Sequence, residues 1–324
     1  MVKIIVDMMG GDNGTPATKE AVRHFLETHK DAEIIAVGKK EELSDLEGVT
    51  LIEANDVIAM ESGVMEVLRK KDSSMVKAIR AVIDEKADAV ISCGSTGAFL
   101  SAATLILKKA PGVKRPALVT QFPRLTAGGF VTVLDIGASN ENTPEEMVQF
   151  AYMGCLYNKI VNGTEHPKVA LLSNGAEEGK GSPEGKAAHQ MLKEDPKIDF
   201  VGNIEGSDLL FTDVDVVTTD GFSGNIMLKT LEGTAKAMGK VLKDGFKKNI
   251  ITKMGYLLAK GGLGDLKGKM NPKKVGGAML IGVNAICVKA HGNSDAESFF
   301  SAMDLTYKLA KANLVAKIKE GFAQ

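Results

Sequence analysis

The sequence predicts an α/β fold, a layered α/β/α unit with a largely parallel sheet, to which a basic helical hairpin is appended. Three observations carry this. Short apolar runs alternate with helical patterns along the 324 residues. Most of the runs lack strict polar alternation, as expected of strands covered on both faces. Glycine-rich polar turns follow the strands repeatedly, at the strand ends where such sheets bind ligands.

The expected strands are Lys3–Asp7, Glu33–Val37, Val49–Glu53, Ala89–Cys93, Ala117–Phe122, Val131–Asp135, Lys168–Leu172, Asp199–Ile204, Val214–Thr218 and Ala285–Lys289. β-Branched and aliphatic residues dominate most of them. The expected helices are Thr15–Thr28, Ser74–Lys86, Ser95–Lys108, Pro144–Tyr157, Pro183–Leu192, Ser223–Phe246 and Asp295–Lys319. No tandem repeat is visible. The chain reads as one catalytic unit over residues 1–324, large enough to form two lobes around a cleft.

Composition narrows the function. Hydrophobic residues make up 44% and charged residues 25%, as in ordinary globular chains. A net charge of −1 gives no electrostatic case for nucleic-acid binding. Cys93, Cys155 and Cys287 lie far apart, so no zinc spacing exists, and the odd count suits a reducing compartment. The N-terminus, Met1 to Asp7, reads as a first strand rather than a signal peptide. No apolar run is long enough to span a membrane.

Six glycine-rich loops follow strands: Asp7–Asn13, Ser92–Ala98, Asp135–Asn140, Ser173–Ser182, Asp220–Asn225 and Lys289–Asp295. In a parallel sheet all six open toward one edge. A strand, a glycine turn and a helix start point backbone N–H groups and the positive helix end at an anion. Ser95, Thr96 and Gly97 begin one helix in this way. Asp220, Gly221, Ser223, Gly224 and Asn225 begin another. Asp12, Asn13 and Asn174 add polar side chains, and Lys180 and His291 add positive charge or proton donors. This inventory suits phosphate and a developing oxyanion. Each loop also has a plainer reading as an ordinary turn, with His291 as a helix cap and Lys180 as a solvated lysine.

Other chemistries are disfavoured. Gly175 to Lys180 resembles a nucleotide phosphate loop, but its spacing is one residue short and Gly181 replaces the magnesium-binding hydroxyl residue. The first strand is not followed by a dinucleotide glycine fingerprint. No nucleophile elbow and no zinc-protease helix occurs. No metal site and no cofactor is expected.

Residues 236–274 carry eleven lysines against Asp244 and Asp265, a net of +9 in a chain whose remainder therefore carries −10. Leu242, Phe246, Ile250, Met254, Leu257 and Leu258 form an apolar stripe, and Gly261 to Gly264 reads as the break between two helices. A basic amphipathic hairpin of this kind suits a membrane surface or an acidic partner. The plainer alternative is a stripe packed into the core or a dimer interface.

In order and spacing these motifs resemble the PlsX family of phosphate acyltransferases, nearly end to end. The signposts are Asp7-Met-Met-Gly-Gly-Asp12, Arg69 to Met75, Ser95-Thr-Gly-Ala98, Arg115-Pro-Ala117, Val148 to Ala151, Asn203-Ile-Glu-Gly206, Thr219-Asp-Gly-Phe222 with Gly224-Asn225, and Ala290-His-Gly292 with Ser294-Asp-Ala296. The resemblance implies transfer of a long-chain acyl group from acyl carrier protein to inorganic phosphate, without cofactor. It implies a fold similar to phosphotransacetylases and isopropylmalate dehydrogenases, a homodimer, and peripheral attachment at the cytoplasmic face of the membrane. On that reading Lys180, His291 and Asn225 are catalytic, and Lys247, Lys248, Lys253, Met254, Leu257 and Leu258 contact membrane or carrier. The competing readings are a phosphotransacylase using acyl-coenzyme A, and a non-catalytic membrane or acyl-chain adaptor.

Overall fold

The computed structural model describes residues 1–60, 65–126, 128–269 and 276–322. Its strands are β1 (Val2–Asp7), β2 (Ala32–Gly38), β3 (Val49–Glu53), β4 (Ala89–Ser92), β5 (Ala117–Pro123), β6 (Phe130–Leu134), β7 (Lys168–Ser173), β8 (Asp199–Glu205), β9 (Val216–Thr218), β10 (Ala278–Ile281) and β11 (Ile286–Lys289). Its helices are α1 (Gly14–Thr28), α2 (Lys40–Leu43), α3 (Met65–Arg69), α4 (Ser74–Asp84), α5 (Thr96–Leu107), α6 (Pro144–Asn162), α7 (Pro183–Glu194), α8 (Gly221–Lys247), α9 (Ile250–Lys269), α10 (Ala296–Lys311) and α11 (Leu314–Phe322).

The strands form one sheet in the order β3-β2-β1-β4-β11-β10-β5-β6-β9-β7-β8. Residues alternate between two cores on its opposite faces. Ile4 and Val6 of β1 enter one core, and Ile5 between them enters the other. Helices on both faces bury those cores, which is why the strands read as near-continuous apolar runs.

The sheet is not parallel throughout. β3, β2, β1, β4 and β11 run together. β10 pairs antiparallel with β11 and β5, and β5 pairs antiparallel with β6. β6, β9, β7 and β8 then run together in the reverse sense. The expected single edge of six loops is therefore corrected: three loops end the first block and three end the second. β10 went unforeseen; it makes the first two of three antiparallel steps, β11–β10, β10–β5 and β5–β6, that together reverse the direction. Ordinary sheet twist of roughly 20–25° per step over the six steps from β1 to β9 would turn strand direction by about 120–150°.

Local chemistry sets the boundaries. Thr143 and Glu146 form a reciprocal capping box at the start of α6, and Gly163 ends that helix in a left-handed conformation. The expected long C-terminal helix is two helices, broken where Asn313 adopts a positive φ of 54°. The hairpin also turns elsewhere than expected. α9 runs through Gly261–Gly264 without a break, and the turn lies at Lys248–Asn249. There the Asn249 side chain accepts the Thr252 N–H at 2.9 Å, starting α9. A capping side chain sets a helix start, whereas glycine within a helix only costs about 1 kcal/mol. The C-terminal end of the expected hairpin, 270–274, lies outside the described residues.

Gly224 tests this packing. A Cβ there would stand 1.9 Å from the Asp135 carbonyl oxygen, while one on Gly233 of the same helix meets nothing within 4 Å. Urea unfolding should show Gly224→Ala destabilising by about 3 kcal/mol and Gly233→Ala stabilising by about 0.5–1 kcal/mol.

Candidate active site

The six loops assemble into two clusters. In the first, the loops after β1, β4 and β11 are tied together. Asp12 N–H donates to the Gly292 carbonyl at 2.7 Å, and the Cys93 thiol to the Gly10 carbonyl at 2.9 Å. Ser92 Oγ donates to the Asp7 carboxylate at 2.7 Å. Asn13 Nδ2 donates to the Ser294 carbonyl at 3.0 Å. Gly11, with φ of +83°, sits where a Cβ would stand 2.7 Å from the Gly292 carbonyl. Ser95 is buried, and Thr96 and Gly97 at the start of α5 are exposed.

A buried lysine sits beneath this cluster. Lys289 is only 5% exposed and donates to the Ala290 carbonyl. Burial pushes its pKa down to about 8, against the pull of Cys93, Asp7 and Asp12. Burial also raises the Asp7 carboxyl, and pushes the Cys93 thiol up to about 12. A thiol so held is no nucleophile at neutral pH. His291 is open to solvent. Desolvation by its surroundings, then the Lys289 charge, nevertheless lowers its pKa, so the imidazole is neutral at pH 7. Lys229 and Glu232 of α8 act on the same imidazole.

The second cluster surrounds a cavity of about 580 Å³. Its polar rim holds Asn174, Lys180, Ser182, Ser207, Asp220 and Ser223, and Met147, Leu171, Leu172, Ile226, Met227 and Leu231 form an apolar wall. Asn174 Oδ1 accepts the Gly181 N–H at 2.9 Å. Ser182 Oγ accepts the Gly185 N–H at 3.0 Å and caps α7. Those contacts fix the loop and leave the Asn174 Nδ2–H and Ser182 O–H groups as donors. Gly175 makes room for the Lys180 side chain, whose Cγ would be 2.7 Å from a Cβ there.

Several expected site residues play a different part. The backbone at the start of α8 is already engaged. Gly221 N–H donates to Asn142 Oδ1, Ser223 N–H to Asp220 Oδ1, and Gly224 N–H to the Asp220 carbonyl. The expected anion cradle of free amides is thus occupied by capping contacts. Gly221 and Gly224 are buried packing positions, where a Cβ would come within 2.0 Å of the Ser139 and Asp135 backbone oxygens. Asn225 is exposed beside Gly137 and does not line the cavity. Asp12, Asn13, Ser95, Thr96, Gly97 and His291 belong to the first cluster. α8 joins the two, starting in the second and reaching the electrostatic neighbourhood of His291 by Lys229.

Sequence reasoning placed Ser173 and Ser182 in a singled-out loop without giving either a role, and it passed over Ser207 and the apolar wall. Ser182 carried a signal, a serine just before the Pro183 that starts a helix. Among the described residues no group of three or more His, Cys, Asp or Glu is arranged to hold a metal.

Outside the cavity, the hairpin presents its stripe to solvent. Every residue of α8 from Glu232 to Gly245 is exposed. Ile251, Leu257 and Leu258 are 80%, 68% and 89% exposed, and Met254, Lys247, Lys248 and Lys253 are exposed with them. The alternative of a stripe packed into this chain's own core is overturned. Among the described residues no helix is long and apolar enough to cross a membrane.

Ser173 Oγ is buried at the cavity edge without a hydrogen-bond partner, and an orphaned hydroxyl costs stability. Thermal unfolding of Ser173→Ala should therefore show stability unchanged or raised by about 1 kcal/mol.

The family model described as "Fatty acid synthesis protein" matches residues 2–317. A phosphate acyltransferase of Staphylococcus aureus (strain bovine RF122 / ET3-1) is 42% identical over 323 residues, 99% of this chain and 98% of that protein. The same enzyme of strain MSSA476 is 41% identical over 322 residues, again 99% and 98%. Among solved structures, a phosphotransacetylase from Streptococcus pyogenes superposes with a TM-score of 0.62 at 18% identity, covering 96% of this chain and 94% of that one. A branched-chain phosphotransacylase from Enterococcus faecalis V583 gives 0.58 at 14% identity, covering 96% and 99%. These structures share the fold expected from the sequence. The family-model match and identity above 40% along almost the full length show that the chain belongs to the PlsX family of phosphate acyltransferases.

Proposed function

We propose that this chain transfers a long-chain fatty acyl group from acyl carrier protein to inorganic phosphate, giving acyl phosphate for phospholipid synthesis. One observation carries the reading: a single cavity joins a rim of hydrogen-bond donors and Lys180 to an apolar wall. Lys180, Asn174 and Ser182 hold hydrogenphosphate at the rim. Asp220, fixed by the Ser223 N–H, accepts the phosphate O–H hydrogen bond. A phosphate oxygen attacks the thioester carbonyl, the C–S bond breaks, and the phosphate proton ends on the departing sulfur. Phosphate is itself the nucleophile, so no covalent enzyme intermediate is required.

Positioning supplies much of the rate. Because the α8 amides are engaged, side-chain donors stabilise the oxyanion: the exposed Asn225 carboxamide and the neutral imidazole of His291, which lie outside the cavity lining and serve a thioester carbonyl held at its mouth rather than inside it. A good donor contributes about 3 kcal/mol. Asp12, Asn13, Ser95, Thr96 and Gly97 form the companion wall at the first cluster, beside His291. The acidic carrier docks on the lysines of the hairpin. The apolar tip holds the protein peripherally on the inner face of the cell membrane, as a homodimer.

The test follows thioester loss from a long-chain acyl carrier protein with and without inorganic phosphate. Loss is expected only with phosphate; phosphate-independent loss, or a clear preference for acyl-coenzyme A, overturns the assignment. Lys180→Ala should lower kcat/KM for phosphate about a hundredfold, and His291→Ala should lower kcat. Near wild-type rates in both variants would remove both residues from the chemistry. For the hairpin, the Leu257→Ser, Leu258→Ser double variant should lose sedimentation with anionic vesicles, while wild-type binding should weaken in high salt.

A further inference from the structure

Hydrogenphosphate occupies only a small part of a cavity of about 580 Å³, a volume typical of pockets that enclose whole organic ligands. The remaining space has its own direction. Ile226, Met227, Thr230 and Leu231 line it at helical spacing on one face of α8. Asp220 and Ser223, at the start of that helix, belong to the polar rim. From Asp220 to Leu231 the helix advances roughly 16 Å at 1.5 Å per residue. Opposite lie Leu171 and Leu172 of β7 and Met147 of α6.

A polar end joined to an elongated apolar wall fits an amphiphile with one anionic or carbonyl head. We infer that the wall along α8 is the acyl-chain subsite of this enzyme, and that Leu231 with Met227 sets the chain length it accepts. The inference rests on the acyl-transfer reading above and adds the residues that measure the chain. An extended chain advances roughly 1.3 Å per carbon for bonds near 1.5 Å, so the wall covers about a dozen carbons. Longer chains pass Leu231, where α8 leaves the body of the protein and every residue from Glu232 to Gly245 is exposed. Leu231 is half-buried at that exit, and Met227 lies deeper, 9% exposed.

The experiment measures kcat/KM for octanoyl, lauroyl and palmitoyl carrier thioesters in the wild type, Leu231→Trp and Leu231→Ala. Leu231→Trp should cut the palmitoyl-to-octanoyl ratio more than tenfold and leave KM for phosphate unchanged. Leu231→Ala should weaken use of long chains by about fourfold for each methylene left uncovered. An unmoved ratio in both variants overturns the inference. The sequence contains no tryptophan, so the indole introduced by Leu231→Trp is a sole reporter. A brominated long-chain fatty acid should quench its emission, and bromoacetate at the same concentration should not. Equal quenching by both, or none by either, overturns the subsite. Should the wild type consume no thioester with phosphate, the reaction assignment fails while the quenching result still decides the subsite.

Discussion

The structure depends on one close contact, the seating of the first turn of α8 on the loop after β6. Asp135 organises that loop. Its carboxylate accepts the N–H groups of Leu118, Gly137, Ala138 and Ser139 and the Ser139 hydroxyl, at 2.7–3.0 Å. Gly221 and Gly224 let the helix approach until backbone meets backbone. One side of the contact is anchored to β5 through Leu118, near the reversal in the sheet; the other places Asp220 and Ser223 on the cavity rim. Burial raises the Asp135 pKa, and those same N–H donors are what hold the carboxylate against it.

Much of this was legible in the sequence, because backbone chemistry is local. The predicted strands and helices occur with ends displaced by a few residues, save the last helix, which is broken in two at Asn313, because apolar periodicity and capping residues mark them directly. Two features that escaped, the reversal of the sheet and the assembly of the loops into two clusters, are set by pairing between distant segments. Ala278–Ile281 is too short to declare itself, yet it opens the run of antiparallel pairs across which the sheet reverses. Gly261–Gly264 looked like punctuation, but glycine inside a helix costs only about 1 kcal/mol, and α9 runs through it.

The candidate site was half legible for the same reason. Lys180, Asn174, Asp220 and Ser223 stand out in polar turns and do line the cavity. Met147, Leu171 and Met227 sit at spacings that read as ordinary core, and only assembly shows them facing a void. Gly221 and Gly224 drew attention as ligand-binding glycines, while their geometry assigns them to packing. A glycine motif marks close backbone approach without saying whether another chain segment or a ligand approaches.

α8 is one uninterrupted helix of 27 residues. It contains no proline, the commonest cause of a sharp kink. At 1.5 Å per residue it is a strut of roughly 40 Å, with the cavity rim at one end and the turn at Lys248–Asn249 at the other. A stiff strut transmits torque. Any force that tilts the far end is borne at the seat formed by Gly221, Gly224 and the Asp135 loop, so the cavity mouth and the hairpin tip share one mechanical degree of freedom.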